Sequence, residues 1–296
     1  VRFDYLAPES IGEAITALSR FRGSARIIAG GTDLINLIRT KAIRPYCLVD
    51  IGNIPGLDVL KYDPRGTLTI GALATIRSLE LSAAVRDRHA IIAQAAGQMG
   101  SMAIRNVGTL GGNLCHASPA ADTAPCLIAL DAMVKIAGPA GERTVRAENF
   151  FTRPGQTVLE EGEVLVEVRV PAMAPQSKAI YLKHAIRGAA DLAIVGVAVT
   201  AGLNDGCFRG VRIALGAVAP TPMRAKIAEK VLEGKKLGDA VIAEAARAAS
   251  AECRPITDVR ASADYRREMV QVLTQRALKQ VVDGRRSEDE QTASVS

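Results

Sequence analysis

The sequence predicts an α+β chain built from more than one compact unit. Short apolar strands alternate with amphipathic helices over the first half of the chain, and a group of strands follows between residues 164 and 216. Ala-rich segments with a 3.6-residue period close it, from about 222 to 283. At 296 residues there is enough chain for two or three separate cores.

Residues 8–22, "PESIGEAITALSRFR", place Ile11, Ala14, Ile15 and Leu18 on one helical face, with Ser10 as N-cap and Glu13 completing a capping box. "ARIIAGGTDL" reads as a strand running into a Gly-Gly turn, "DLINLIRTK" as the helix after it, and "YCLVDI" as a buried strand. These make a first lobe over residues 1–60. A second lobe, 61–175, opens at "TLTIGALATIRSLE", where Leu68 and Ile70 mark a strand and Thr75 caps the next helix. "HAIIAQAAGQM" is a helix, the stretch 105–125 is a Gly-rich loop, and "APCLIALDAMVKIAG" continues with strong apolar content. "GEVLVEVRVP" alternates Val164, Val166, Val168 and Val170 until Pro171 ends the strand and marks a domain boundary. The third unit, 176–285, is a small antiparallel sheet with a turn at "NDG", followed by helices; residues 286–296 form a charged tail expected to be disordered.

Composition narrows the function. Hydrophobic residues are 48% of the chain, yet runs such as "DLAIVGVAVTAGL" are too short and Gly-broken to span a bilayer. The first residues show neither an apolar leader nor an Arg-rich transit segment, so a cytoplasmic chain is expected. Five cysteines without a C-x-x-C pair suit reduced thiols better than a disulfide framework. The net charge of +6 is spread along the chain and aromatics are only 3%, so nucleic acid is not the expected partner.

Two segments carry chemistry. In "IIAGGTDL", residues 27–34, a strand ends at Gly30 and Gly31, bare backbone turns toward a ligand, Thr32 adds a hydroxyl, and a helix starts at the same place. A plain turn remains the alternative, and both the G-x-G-x-x-G and P-loop spacings are missing. In "RNVGTLGGNLCHASPAADTAP", Gly108, Gly111 and Gly112 surround Thr109, and Asn113 adds a polar side chain. Two such segments favour a long ligand with two phosphates. Cys115, His116 and Cys126 offer a competing metal reading without a standard zinc spacing, and neither Cys115 nor His116 belongs to a nucleophile triad pattern.

With both segments in place, the chain resembles the FAD-binding medium subunit of the molybdenum hydroxylases, which include the xanthine dehydrogenases and aerobic carbon monoxide dehydrogenases. The likeness runs through "FDYLAPESIGEAITAL", "AGGTDLINLIRTK", "IRNVGTLGGNLCHASPAADTAPCLIALDA" and "YLKHAIRGAADLAIVGVAV". It implies a two-lobed FAD-binding fold of the vanillyl-alcohol oxidase (PCMH) type, with a C-terminal domain of sheet and helices. It assigns to FAD the residues Ile27, Ile28, Ala29, Gly30, Gly31, Thr32, Asp33 and Leu34 of the first segment, and Thr109, Gly111, Gly112 and Asn113 of the second. Asp122 would anchor the ribose or adenine side, and Ala103, Leu165 and Lys183 match further FAD contacts; a cationic Lys183 would suit an anionic reduced ring. For Leu165 and Lys183 a core residue and a surface charge are the alternatives. Leu192 in "RGAADLA" stands where carbon monoxide dehydrogenases carry a tyrosine, which tilts the substrate toward an N-heterocycle, purine or aldehyde.

The resemblance also implies a function. Substrate would be hydroxylated on a large molybdopterin-binding partner, and electrons would pass from [2Fe–2S] centres on a small partner through this chain's FAD to an external acceptor, in a dimer of heterotrimers. The chain itself would supply no catalytic acid or base and no metal ligand. A stand-alone flavin-dependent oxidase and an FAD-free assembly module are the other readings; against the module, the glycines of both segments are expected to serve the ligand rather than packing.

Overall fold

The computed structural model describes residues 3–188 and 190–293, with side chains through Val282. The tail expected at 286–296 therefore lies outside the fully described residues.

Strand β1 (Asp4–Leu6) leads to helix α1 (Ile11–Arg20). Ser10 Oγ accepts the Glu13 N–H at 3.2 Å, while the Glu13 carboxylate accepts from the Glu9 N–H at 2.9 Å. The capping box thus closes one residue earlier than the usual pattern. Next come β2 (Ala25–Ile28), α2 (Leu34–Arg39), β3 (Cys47–Asp50), β4 (Leu60–Tyr62), β5 (Leu68–Gly71) and α3 (Ile76–Leu81). Thr75 Oγ1 accepts the Ser78 N–H, capping α3 as its sequence suggests.

Helices α4 (Ala83–Arg88), α5 (Ala90–Gln98), α6 (Met102–Val107), α7 (Leu110–His116) and α8 (Thr123–Ala129) follow. The stretch 105–125 is therefore not an open loop. It holds the end of α6, all of α7 and the start of α8, with Gly111 and Gly112 inside the first turn of α7. After α8, Asp131 takes a left-handed φ of 57° and redirects the apolar run into β6 (Met133–Gly138). The chain continues through β7 (Gly141–Arg146), β8 (Phe151–Arg153), β9 (Gln156–Thr157), β10 (Val164–Val170), β11 (Ser177–His184), β12 (Val195–Asn204), β13 (Cys207–Gly216) and β14 (Met223–Arg224). It ends with α9 (Lys226–Leu232), α10 (Asp239–Glu252) and α11 (Ala263–Ala293).

These elements gather into two compact units. The first comprises Val1–Leu81, Gly100–Ser118 and Asp131–Ala172. It contains a parallel three-stranded sheet, β1-β3-β2, and an antiparallel sheet, β4-β5-β10-β6-β7. Ala14 and Leu18 of α1 pack with Ala25, Cys47 and Val49 of the parallel sheet. Strand β10 lies mid-sheet, and a bulge between Leu165 and Glu167 breaks its expected alternation. Leu165 is consequently buried beside Val164, Val168 and Val170, whereas Val166 is only half-buried.

The second unit comprises Ser82–Met99, Pro119–Leu130 and Met173–Ser296. Its sheet is antiparallel, β11-β12-β13-β14, and the β12–β13 hairpin turns on Asp205 and Gly206, both at positive φ, as an Asp-Gly pair allows. Val195, Val197, Val199 and Ala201 of β12 join the core formed with α9, α10 and α11. The other face of the sheet meets α5 and α8, so residues 195–202 are buried without interruption. The two helices that complete this unit come from the middle of the chain. Segments 82–99 and 119–130 group with the C-terminal strands, because α5 packs on β11 and α8 on β12 and β13.

Candidate functional site

In the first unit, β2 stops at Ile28 and the chain turns through Ala29, Gly30 and Gly31 before α2 begins at Leu34. Gly31 adopts φ +69°, which glycine takes without strain. The carbonyls of Gly31 and Asp33 accept from Ile35 and Leu37, and Asn36 Nδ2 donates to the Thr32 carbonyl at 2.8 Å. The amide groups of Gly30, Gly31, Thr32 and Asp33, by contrast, donate to no protein acceptor among the described residues. Four consecutive amides without a protein acceptor leave partial positive charge at this turn, which the oxygens of a phosphate could satisfy. Ile27, Ile28, Ala29 and Leu34 flank it, each half-buried.

The second segment has a different job. Leu110 and Gly111 donate their N–H groups to the carbonyls of Ala74 and Ala72, both at 2.9 Å. Thr109 is the N-cap of α7, its Oγ1 accepting from Gly112 at 3.1 Å, and Asn113 N–H returns to the Thr109 carbonyl. The amides of Gly111, Gly112 and Asn113 are thus committed within the protein. Their glycines answer a steric need instead: a Cβ on Gly111 would lie 2.7 Å from the Ala72 carbonyl oxygen, and one on Gly30 only 1.9 Å from that of Val107. The segment wedges itself against the turn that carries the unpaired amides. The expectation that packing alone would not require these glycines is corrected here, since Gly30 and Gly111 are needed by the fold with or without a ligand. Ala103 is exposed on α6 beside the exposed Met102, and Leu165 is buried at the β10 bulge.

Cys115 and His116 end α7. Burial pushes the Cys115 thiol up to about 12 and raises Cys126 well above the ordinary range, so neither supplies a thiolate near neutrality. His116 Nε2 lies 3.7 Å from Asp33 Oδ1, at the edge of the unpaired amides. Among the described residues no group of three His, Cys, Asp or Glu side chains could hold a metal.

In the second unit the structure joins two residues that the sequence treats separately. Asp122, just before α8, accepts from Tyr181 Oη at 2.7 Å through Oδ1 and from Lys183 Nζ at 2.9 Å through Oδ2. Lys183 Nζ also donates to the Gln98 carbonyl of α5 at 2.9 Å. The Asp122 and Lys183 side chains are only 5% and 6% exposed, which rules out a loose surface charge for Lys183. Burial raises the Asp122 carboxyl, against the pull of Lys183 and Tyr181, which favour its charged form. Leu192 is exposed, and its N–H donates to Asp191 Oδ1 while Asp191 Oδ2 accepts from the Arg187 N–H. Tyr181, Gln94 and Gln98 had no signal in the sequence, because their partners lie tens of residues away.

Comparison with known proteins covers nearly the whole chain. Residues 1–173 match the FAD binding domain in molybdopterin dehydrogenase, and residues 180–281 match the CO dehydrogenase flavoprotein C-terminal domain. The carbon monoxide dehydrogenase medium chain of Hydrogenophaga pseudoflava is 37% identical over 94% of this chain and 96% of its own length. The glyceraldehyde dehydrogenase medium chain of Sulfolobus acidocaldarius is 33% identical over 94% of this chain and 98% of its own. Among solved structures, carbon monoxide dehydrogenase from Hydrogenophaga pseudoflava superposes with a TM-score of 0.93, at 37% identity over 96% of this chain and 98% of that one. Quinoline 2-oxidoreductase from Pseudomonas putida 86 gives 0.89, at 33% identity over 96% and 98%. With both domain matches in chain order and full-length relatives above 30% identity, the chain belongs to the FAD-binding flavoprotein family of the molybdopterin dehydrogenases.

Proposed function

We propose that the chain is the FAD-carrying electron-transfer subunit of a molybdenum hydroxylase. It would work in the cytoplasm with a large molybdopterin-binding partner and a small [2Fe–2S] partner, two such heterotrimers pairing. The observation that carries this reading is the run of unpaired amides at Gly30, Gly31, Thr32 and Asp33, in a family defined by FAD binding.

The residues fit a dinucleotide diphosphate. Unpaired N–H groups of the β2–α2 turn would hold the phosphate oxygens, with Thr32 adding its hydroxyl, and the Gly30–Val107 contact keeps the turn from opening. Lys183, its charge balanced by Asp122 and its Nζ already bonded twice, retains one N–H for a ligand acceptor. Asp122 has each carboxylate oxygen engaged and acts by orienting Lys183. Bound FAD supplies redox chemistry between the partner's [2Fe–2S] centres and an external acceptor.

The substrate is set elsewhere. The relatives are named for carbon monoxide, glyceraldehyde and xanthine while sharing this chain's architecture, which supports a common electron-transfer part rather than a substrate pocket. Titration of the purified chain with FAD, read by quenching of flavin fluorescence, tests the reading. Saturable one-to-one binding is expected; a colourless protein that takes up no FAD would refute it.

A further inference from the structure

The cations of this chain are spread along it, but their excess over acids is not. Residues 20–46 hold Arg20, Arg22, Arg26, Arg39, Lys41 and Arg44 against a single acid, Asp33, so nearly all of the net charge of +6 lies in this one segment. Topology gathers these cations in the first unit. Strands β1, β3 and β2 run parallel, so α1 and α2 each cross back to the end of the sheet where β2 and β3 begin. The linkers 21–24 and 40–46 share that end, and the unpaired amides after β2 lie at the other. The Tyr46 N–H donates to the Ser24 carbonyl at 2.8 Å, the Phe21 and Tyr46 rings meet at 5.8 Å, and the Arg20 guanidinium carbon lies 5.4 Å from the centre of the Phe21 ring. Tyr46 is 61% exposed, and Arg20, Arg22, Arg39, Lys41 and Arg44 are exposed at the same end. Two acids stand nearby, Asp4 at the start of β1 and Glu161 beside Gly23, yet among the described residues none of the six cations is in an ion pair. Elsewhere Arg105, Arg143 and Arg224 are each held by a carboxylate.

Local structure explains part of the cluster. A cation in the last turn of a helix suits its dipole, which covers Arg20 and Arg39, and Arg26 is spent on the Gly23 and Ala25 carbonyls, each at 2.7 Å. Arg22, Lys41 and Arg44 have no such reason. Arg22 (φ 31°) and Lys41 (φ 59°) take left-handed backbone just past α1 and α2, where glycine or asparagine sits with less strain. Both positions keep a cation against the local preference. We propose that this end of the parallel sheet is a docking surface for a carboxylate-rich face of a partner protein, with Phe21 and Tyr46 as its apolar centre and Arg22, Lys41 and Arg44 as its charged rim. This rests on the subunit reading above. Arginine and tyrosine are enriched in protein interfaces and lysine is depleted, and a guanidinium meets a carboxylate through two bonds at once, so five arginines to one lysine favour an acidic protein over a lipid surface, which attracts either cation alike.

The test titrates the full chain with its assembled large and small subunits by surface plasmon resonance at about 50 and 300 mM salt, with FAD affinity and melting measured on the same proteins. Combining Arg22→Glu, Lys41→Glu and Arg44→Glu should weaken association about a hundredfold at low salt, about fivefold per charge, and less at high salt. FAD affinity should stay within about twofold, because the amide turn lies at the other end of the sheet. Arg22→Gly with Lys41→Gly should also weaken association, yet melt at or above the parent, because glycine relieves the left-handed backbone. If the triple variant binds the partner subunits as the parent does, the inference falls and the subunit reading stands. Loss of FAD affinity along with association would make the cations supports of the fold and overturn it as well. A chain that passes over the partner subunits but pellets with phosphatidylserine vesicles, or pairs with itself as salt is lowered, would give the surface a different occupant and overturn the proposal. A parent chain that binds FAD but joins no partner subunit would remove this inference and the subunit reading together.

Discussion

Replacing Gly30 by alanine would put a methyl carbon 1.9 Å from the Val107 carbonyl oxygen and 2.7 Å from its carbonyl carbon. Both are backbone atoms, so no side chain can swing away, and the β2–α2 turn or the end of α6 must move by more than an ångström. Overpacking of a tight interior site costs about 1–3 kcal/mol, and a clash with fixed backbone belongs at the upper end. At about 3 kcal/mol the melting temperature of the FAD-free protein should fall by about 6–12 °C. Gly12→Ala is the internal control, because nothing lies within 4 Å of its Cβ on α1, and alanine there should stabilise by about 0.5–1 kcal/mol. Differential scanning calorimetry of the two variants without FAD decides the matter. If Gly30→Ala melts within about 2 °C of the parent and loses only FAD affinity, Gly30 is there for the ligand, and the packing argument built on Val107 is wrong.

Thr109→Ala removes the hydroxyl that accepts from Gly112 and should cost about 1 kcal/mol, visible as a lower urea midpoint at unchanged m-value. Gly206→Ala meets no atom within 4 Å but forces alanine to φ +71° in the β12–β13 turn; about 1–2 kcal/mol of strain is expected from chemical denaturation. Cys115 is half-buried with its thiol held up to about 12, so it should label slowly with iodoacetamide at pH 7.5 when followed by mass spectrometry, and fast labelling would refute the raised thiol. Asp258 is pulled the other way. Burial would raise its carboxyl, but the Arg260 N–H, the Arg266 guanidinium and the Ala261 N–H outweigh it and hold it at about 2. A folded-state value below the unfolded 3.8 stabilises the protein above pH 4, and that contribution, about 2 kcal/mol, is lost as pH falls from 4 to 2. Asp258→Asn should flatten acid unfolding over that window, and an unchanged profile would place the acid-sensitive group elsewhere.

Local signals were readable from the chain where local physics sets the outcome. Ser10 and Glu13 cap α1, Thr75 caps α3, and the Asp205–Gly206 pair turns a hairpin, because each needs only neighbours a few residues away. The strand at Val164–Val170 was legible, but its bulge was not, since a bulge answers the partner strands β5 and β6. Residues 105–125 read as a loop because Gly111 and Gly112 are poor helix formers; the Thr109 cap and the Leu110–Leu114 spacing were the signals for α7. In the first segment, sequence pointed to the turn, and only the hydrogen-bond inventory separates its unpaired amides from the committed ones of the second. The Asp122–Lys183 pair spans 61 residues and Asp122–Tyr181 spans 59, so neither leaves a local trace.

The threading of the chain through its two units has a consequence for synthesis. Every residue of α8, Thr123–Ala129, is buried, and the helix carries no charge. The strands it packs against, β12 and β13, are complete only at Gly216, nearly ninety residues later. At about 5–20 residues per second, that segment is made about 4–17 s before its shelter exists. A nascent chain paused in this interval exposes an apolar helix to other chains, so codon speed and chaperone supply between residues 130 and 216 should govern how much protein reaches the folded state.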